Sequence, residues 1–132
     1  MSYAVGDVIA ERTIHLTRDS LVRYAGASGD FNPIHYRDDV AASVGLPGVL
    51  AHGMLTMGIA SSVVIAALED SSKLIDYGVR FTRPVVVDPK AGADVTMLAK
   101  VGAVDDATVR IDLTVKFAET TVLGKAQLRV AL

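Results

Sequence analysis

The second half of the chain alternates between apolar and polar residues with a period of two, which is typical of half-buried β-strands. Similar patterns predict strands over residues 75–82, 94–104 and 122–132. The alternation is clearest in the strand before the last, where apolar residues stand at Val109, Ile111, Leu113, Val115 and Phe117. The connections between the last three strands are too short for crossover helices. These strands are therefore predicted to form an antiparallel meander with one buried face.

The first half of the chain carries a strand-like run over residues 8–15, followed by the signals of helices. Apolar residues at spacings of three and four predict a helix over residues 18–25, and Gly26 and Gly29 are expected to bound its end. A second, short helix is predicted over residues 37–44. Together these signals predict a chain that is mainly helical before residue 70 and mainly extended after it.

Residues 54–68 form the longest apolar run, and it is apolar on every side of a helix. Such a helix would be about 22 Å long, shorter than the roughly 20-residue helix that a bilayer requires. It is also the element long and apolar enough to cover the inner face of the sheet. We therefore predict an α+β fold in which a curved antiparallel sheet surrounds one central helix, in a single domain over residues 1–132.

Composition narrows the class of protein. The net charge is −2 and the basic residues never form a block, which argues against binding to nucleic acid or to an anionic membrane. The chain has no cysteine, which fits a reducing compartment. Its first residues carry two acids and no apolar run like that of an export signal. We expect a cytoplasmic protein.

Candidate chemistry is concentrated between residues 28 and 53. Asp30 and His35 lie five residues apart, and Asn32 and Pro33 between them predict a stiff, irregular loop. Downstream, Gly53 precedes the predicted apolar helix, so its N–H would be reinforced by the positive end of a helix dipole. This pattern brings an acid, an imidazole and a backbone donor into one candidate site.

Two runs carry a family resemblance: YAGASGDFNPIH over residues 24–35 and AHGM over residues 51–54. They resemble the signature of the MaoC-like, (R)-specific enoyl-thioester hydratases. The runs SGDFNPIHY, GLPGVLAHGMLTMGIA and YGVRFTRPV further resemble catalytic subunits of the (3R)-hydroxyacyl-ACP dehydratases of mycolic-acid type II fatty-acid elongation. The resemblance implies a hot-dog fold, with an antiparallel sheet wrapped around a long central helix. It also implies a hydro-lyase that interconverts (3R)-hydroxyacyl and trans-2-enoyl thioesters without a metal or cofactor.

The resemblance also implies roles for individual residues. Asp30 and His35 would be the catalytic pair, and the N–H of Gly53 would bind the thioester carbonyl oxygen. In the dehydration direction we expect His35 to remove the C2 proton and Asp30 to assist departure of the C3 hydroxyl. A second division of labour, in which one group performs both proton transfers and the other orients it, fits the same residues.

Four further residues are expected to support the site. Asn32 would brace the loop that carries the catalytic pair, or it would only bond to local backbone, as Asn commonly does in turns. Ser61, with Ser62 as its near rival, stands where related hydratases place a serine that hydrogen-bonds near the catalytic carboxylate, although close helix packing also explains both. His52 is expected to satisfy loop backbone before the helix.

Several alternatives to this function stay open at the level of sequence. The thioester could be carried on ACP or on CoA, as in (R)-specific enoyl-CoA hydratases of the β-oxidation type. A hot-dog acyl thioesterase also places a carboxylate near a helix N-terminus, and a non-catalytic dehydratase subunit would share the fold. Exposed sheet edges predict a homodimer or a heterodimer with another hot-dog subunit.

Overall fold

A computed structural model describes residues 2–132 and contains one five-stranded antiparallel sheet with three α-helices. In chain order the elements are β1 (Val8–Leu16), α1 (Arg18–Ser28), a 3₁₀ turn (Pro33–His35), α2 (Asp38–Ser43), α3 (Gly53–Ala67), a 3₁₀ turn (Ser71–Lys73), β2 (Leu74–Phe81), β3 (Ala93–Val104), β4 (Thr108–Phe117) and β5 (Thr120–Ala131). The strands lie in the order β1-β3-β4-β5-β2. Within residues 2–132, no helix has the length and apolarity needed to cross a membrane.

The predicted meander is confirmed by the pairing of β3 with β4 and of β4 with β5, both antiparallel. The alternating residues of β4 face the core as expected, since Val109, Ile111 and Val115 are fully buried and Leu113 is 6% exposed. β1 pairs with the outer side of β3, and β2 pairs with β5, so β1 and β2 form the two edges of the sheet.

The long apolar helix α3 packs one face against the sheet, and this face buries Thr56, Ala60, Val63 and Val64. Because the helix is apolar on every side, the sheet was predicted to surround it. In the structure the sheet covers only one face of the helix. On the opposite face Met54 is 58% exposed, and Gly58, Ser62 and Ala66 are also exposed. An open apolar helix face is therefore part of the surface of the single chain.

The helix α1 runs three residues further than predicted, to Ser28, because Gly29 rather than Gly26 ends it. Gly29 adopts the left-handed conformation (φ 77°), and its N–H donates to the Ala25 carbonyl at 2.9 Å. Glycine takes this conformation without a steric penalty, so the helix stops here. Asp30 therefore emerges directly from the helix end.

The segment that leads into α3 is held by residues 85–87. The N–H of Ala51 donates to the Val85 carbonyl, and the N–H of Val87 donates to the Val49 carbonyl, both at 2.9 Å. Val85 and Val87 are buried, so this short extended ladder belongs to the core. It fixes the backbone just before the N-terminus of α3.

Arg18 joins three parts of the fold at the start of α1. Its Nε–H donates to the Val87 carbonyl at 2.6 Å, and its two terminal nitrogens donate to the Asp38 carboxylate at 2.9 and 3.2 Å. The Arg18 guanidinium lowers the pKa of Asp38. Arg18 thus links α1 and α2, which flank the candidate site in sequence, to the segment beneath α3.

Candidate active site

The loop that carries Asp30 is shaped by three local side-chain-to-backbone hydrogen bonds. The Asp30 N–H donates to Ser28 Oγ at 3.1 Å, the Asn32 N–H to Asp30 Oδ1 at 3.1 Å, and the Ile34 N–H to Asn32 Oδ1 at 3.2 Å. Such bonds are typical of Asp and Asn in turns, and Pro33 stiffens the same turn. One carboxylate oxygen of Asp30 is thus fixed by the loop itself.

His35 presents one ring nitrogen to Asp30. Its Nδ1 lies 2.7 Å from the Leu50 carbonyl, which only accepts, so Nδ1 carries the proton and donates. In the neutral ring this leaves a lone pair on Nε2, which lies 4.0 Å from Asp30 Oδ2. The His35 side chain is 11% exposed and that of Asp30 51% exposed. The pair is therefore buried on the imidazole side and open on the carboxylate side.

His52 lies beneath this pair and is 1% exposed. Its Nε2–H donates to the backbone carbonyl of Asp30 at 3.1 Å, and its ring stacks on His35 with centroids 3.9 Å apart and planes 23° apart. Burial lowers the pKa of His52, and the neighbouring His35 lowers it further, against the opposing effect of the Asp30 carbonyl. His52 thus bonds to the backbone of the Asp30 loop and also makes a ring contact with His35 that the sequence did not predict.

Gly53 opens α3, one residue earlier than predicted. The N–H groups of Leu55 and Thr56 donate back to the His52 carbonyl, while within residues 2–132 the Gly53 N–H makes no hydrogen bond. First-turn amides of a helix lack partners inside the helix. The Gly53 amide is therefore a free donor at the positive end of the α3 dipole.

A cavity of about 260 Å³ begins at Gly53, and its wall includes Thr82, Arg83 and Phe81. A Cβ placed on Gly53 would lie 2.9 Å from Cε1 of Phe81, so glycine is what allows the ring to lie this close to the helix start. A second, apolar cavity of about 340 Å³ lies beside the loop and is lined by Val22, Ala25, Phe31 and Tyr36. One cavity therefore reaches the start of α3, and the other reaches the loop residue that follows Asp30.

The two serines of α3 do not hydrogen-bond to Asp30. The Ser61 hydroxyl donates to the Gly58 carbonyl at 2.9 Å, and the Ser62 hydroxyl donates to the Ile59 carbonyl at 2.7 Å. Such back-bonding to the preceding turn is common for serine inside a helix. A role for Ser61 or Ser62 beside the carboxylate stays a prediction.

Asp30, His35 and His52 are also close enough for their ligand atoms to be considered as a metal site, since these lie within 4.8 Å of one another. The ring geometry argues against it. The lone pairs that bind metals lie in the imidazole plane, and two nearly parallel rings direct them side by side rather than towards one point. In addition, Nδ1 of His35 is already engaged by the Leu50 carbonyl.

Sequence reasoning missed Tyr24 and Phe81 as neighbours of the site. The Tyr24 ring meets His52 edge-on with centroids 4.8 Å apart, and Phe81 flanks Gly53. Tyr24 begins the run on which the family resemblance rests, which was the available signal. Phe81 comes from the distant strand β2, so its place beside Gly53 depends on the tertiary fold.

A family model described as "MaoC like domain" matches residues 4–122. The chain belongs to the MaoC-like domain family. A solved MaoC-like dehydratase superposes with a TM-score of 0.93 and 36% identity, over 98% of this chain and 40% of that one. The predicted hot-dog fold, with its antiparallel sheet packed on a long helix, is confirmed.

Two curated relatives bear on activity. The 3-hydroxyacyl-thioester dehydratase X of Mycobacterium tuberculosis is 37% identical over 79 residues, which cover 60% of this MaoC-like chain and 27% of that protein. The (R)-specific enoyl-CoA hydratase of Rhodospirillum rubrum is 28% identical over 130 residues, covering 98% and 85% of the two chains. This chain thus spans about a quarter of the first relative's length and most of the second's.

Proposed function

We propose that this chain is a hydro-lyase that interconverts (3R)-hydroxyacyl and trans-2-enoyl thioesters. The observation that carries the proposal is the placement of the Asp30 carboxylate opposite the free nitrogen of His35, 4.0 Å away. The N-cap of α3, His52, bonds to the Asp30 carbonyl, which links the pair to the start of that helix. The relatives from M. tuberculosis and R. rubrum are named for the two directions of this reaction, dehydration and hydration. Membership of the MaoC-like family supports the same reaction class.

In the proposed hydration, the gap between Asp30 and His35 receives water. One water oxygen can lie within hydrogen-bond reach of two groups that are 4.0 Å apart, since each bond needs about 2.8 Å. One of the two side chains takes the proton as the oxygen adds to C3. A proton is then delivered to C2 from the same small cluster. Dehydration is the reverse: His35 removes the C2 proton, and Asp30 in its protonated form gives the C3 hydroxyl the proton with which it leaves as water.

The Gly53 amide supplies the third element. As the C2–C3 bond reacts, negative charge develops on the thioester carbonyl oxygen, and a preorganised N–H aimed at that oxygen lowers the barrier. The Gly53 N–H makes no hydrogen bond within the described chain and stands at the positive end of α3. Removing one such donor from known oxyanion holes costs roughly 3 kcal/mol. The reaction transfers no electrons, so the proposal requires no redox cofactor.

The proposal is tested by replacing the acid and the base separately. Asp30→Asn and His35→Ala should each lower the rate of enoyl-CoA hydration at least about 10²-fold while unfolding cooperatively as the wild type does. The chain offers a matched control in the exposed pair of His15 and Asp94, whose Nδ1 and Oδ1 are 2.7 Å apart. His15→Ala and Asp94→Asn should leave turnover unchanged. Wild-type rates in Asp30→Asn or His35→Ala would refute the assignment.

We further propose that the thioester is carried on ACP in type II fatty-acid elongation, with CoA as the alternative. The resemblance of three sequence runs to ACP dehydratases supports ACP, and exposed Arg83 on the cavity wall next to Gly53 offers a cation to a phosphopantetheine phosphate. The name of the R. rubrum hydratase supports CoA. Comparing kcat/KM on the same enoyl chain attached to each carrier distinguishes them, and a preference for CoA would refute the ACP assignment.

The proposed working form is a dimer, with itself or with another hot-dog chain. Strand β2 is an edge, and two of its apolar residues, Ile75 and Phe81, are more than half exposed, as is Met54 on the open face of α3. Edge strands with exposed apolar residues invite pairing with a second sheet. For a homodimer, light scattering of the purified chain should give twice the chain mass. For a heterodimer, it should give the summed mass of the two chains once the partner is added. A strict monomer with full activity would contradict this.

A further inference from the structure

His52 is the one side chain of the described site that contacts both members of the proposed catalytic pair. It reaches Asp30 through a hydrogen bond from Nε2–H to the backbone carbonyl, and it reaches His35 through ring stacking. We propose that His52 is a positioning residue that holds Asp30 and His35 at their working separation. The inference rests on the proposed function and deepens it, because it names what fixes the geometry of the site.

The first contact ties the Asp30 loop to a different part of the fold. The hydrogen bonds donated by the N–H groups of Asp30, Asn32 and Ile34 are local, so they set the shape of the loop without fixing its position. The far end of the loop is attached by the Leu50 N–H, which donates to the Ile34 carbonyl at 3.2 Å. The bond from His52 spans 22 residues and attaches the Asp30 backbone to the N-cap of α3. Because His52 is 1% exposed, this bond is shielded from competing solvent.

The second contact supports His35 from one side. The centroids of the two imidazole rings are 3.9 Å apart and the rings are nearly parallel, while the Tyr24 ring is T-shaped to His52 with centroids 4.8 Å apart. His35 is held in its plane by the hydrogen bond from Nδ1 to Leu50, and the stack prevents the ring from tilting about that bond. Free rotation of the ring would move Nε2 away from Asp30.

The arrangement also fixes the charge of His52. The Asp30 carbonyl can only accept, so Nε2 keeps the proton, and Nδ1 is buried without a hydrogen-bond partner within residues 2–132. The groups that face it are His35, Tyr24 and the Asp30 loop, and burial next to His35 lowers its pKa. His52 is therefore neutral, and a charge that arises on His35 during the reaction faces a neutral ring rather than a second cation.

Two substitutions separate the contacts. His52→Phe keeps an aromatic ring against His35 but cannot donate to Asp30, whereas His52→Gln keeps a donor at the position of Nε2 but has no ring. Each should lower kcat roughly 10-fold with KM nearly unchanged, and His52→Ala, which lacks both contacts, should lower it about 10²-fold, since small misplacements of reacting groups are costly. His15→Ala, on the exposed edge strand β1, is the control that should leave kcat unchanged.

The assay follows enoyl-CoA hydration at a temperature well below each variant's unfolding midpoint, so that loss of folded protein does not enter kcat. Wild-type kcat in either His52→Phe or His52→Gln would overturn the proposal, because the corresponding contact would then be dispensable. If kcat/KM fell only because KM rose, with kcat unchanged, the proposal would also be overturned, since positioning of the reacting groups acts on kcat.

A second measurement is independent of turnover. In a long-range ¹H–¹⁵N spectrum, His52 should show a protonated Nε2 and an unprotonated Nδ1, and should stay neutral near pH 6.5, where an exposed histidine is about half protonated. A protonated Nδ1 under these conditions would overturn the assignment of His52. If instead the wild type hydrates no enoyl thioester while His52 shows the expected spectrum, the proposed function fails and the geometric assignment stands.

Discussion

The Gly53 amide can be removed with little disturbance of the fold, by the substitution Gly53→Pro. Gly53 is the first residue of α3, where proline is favoured because the N–H has no partner inside the helix. His52 before it has φ −60° and ψ 131°, the extended conformation that a residue preceding proline requires. Within residues 2–132 the Gly53 N–H makes no hydrogen bond, so no bond of the described fold is lost.

Two separate effects contribute to the loss of kcat expected for Gly53→Pro. Losing an oxyanion donor should lower kcat 10²- to 10³-fold, or about 3–4 kcal/mol. Adding a side chain brings a Cβ to 2.9 Å from Phe81 Cε1, but that ring is 56% exposed and can move aside. Gly53→Ala adds the same Cβ and keeps the N–H, so it measures the steric effect alone. Both variants should retain the wild-type free energy of unfolding to within about 1 kcal/mol.

The assay is the loss of enoyl absorbance as enoyl-CoA is hydrated, measured for the wild type, Gly53→Ala and Gly53→Pro. The ratio of kcat between the alanine and proline variants isolates the contribution of the amide. A proline variant within about threefold of the alanine variant would refute the assignment of the Gly53 N–H to the carbonyl oxygen.

Three further predictions concern stability. Arg18→Met should lower the free energy of unfolding by about 1.5 kcal/mol, because it removes a part-buried hydrogen bond to a backbone carbonyl. The control is Arg37→Met, which removes an exposed ion pair and should leave the midpoint of urea unfolding unchanged. The β4–β5 turn has positive φ at Ala118 (50°) and Glu119 (62°), which Asn and Gly adopt at lower cost. Replacing the two residues by Asn-Gly should therefore raise the free energy of unfolding by about 1–2 kcal/mol, and an unchanged melting temperature would contradict this. Because the folded state holds His52 below its ordinary pKa of 6.5, stability should fall as pH drops from 6.5 towards the lowered folded value, and His52→Gln should flatten that slope in urea titrations.

Elements with a strong local pattern were predicted well from the sequence. Alternation in β4 identified its buried face, and the apolar run of α3 placed that helix to within one residue at each end. The end of α1 was placed three residues early, since Gly26 and Gly29 carry the same sequence signal and only Gly29 takes the left-handed conformation. The local sequence pattern therefore cannot predict which of two nearby glycines ends a helix.

Features that depend on distant contacts could not be predicted. The edge positions of β1 and β2 follow from pairings with β3 and β5 that no turn connects directly. That Asp30 and His35 lie close together could be predicted, because both stand within one short loop. The stack of His52 on His35 and the bridge from Arg18 to Val87 join residues 17 and 69 positions apart, and they form only when the core brings residues 49–51 and 85–87 together.

The most direct test of the account is the identity of the product that the wild-type chain forms from a trans-2-enoyl-CoA. Chiral chromatography of the hydrolysed product, with a parallel assay for free thiol, separates the candidate reactions. The account predicts the (3R)-3-hydroxyacyl thioester with the thioester bond intact. Release of free CoA thiol with the double bond retained, or formation of the (3S) product, would contradict it.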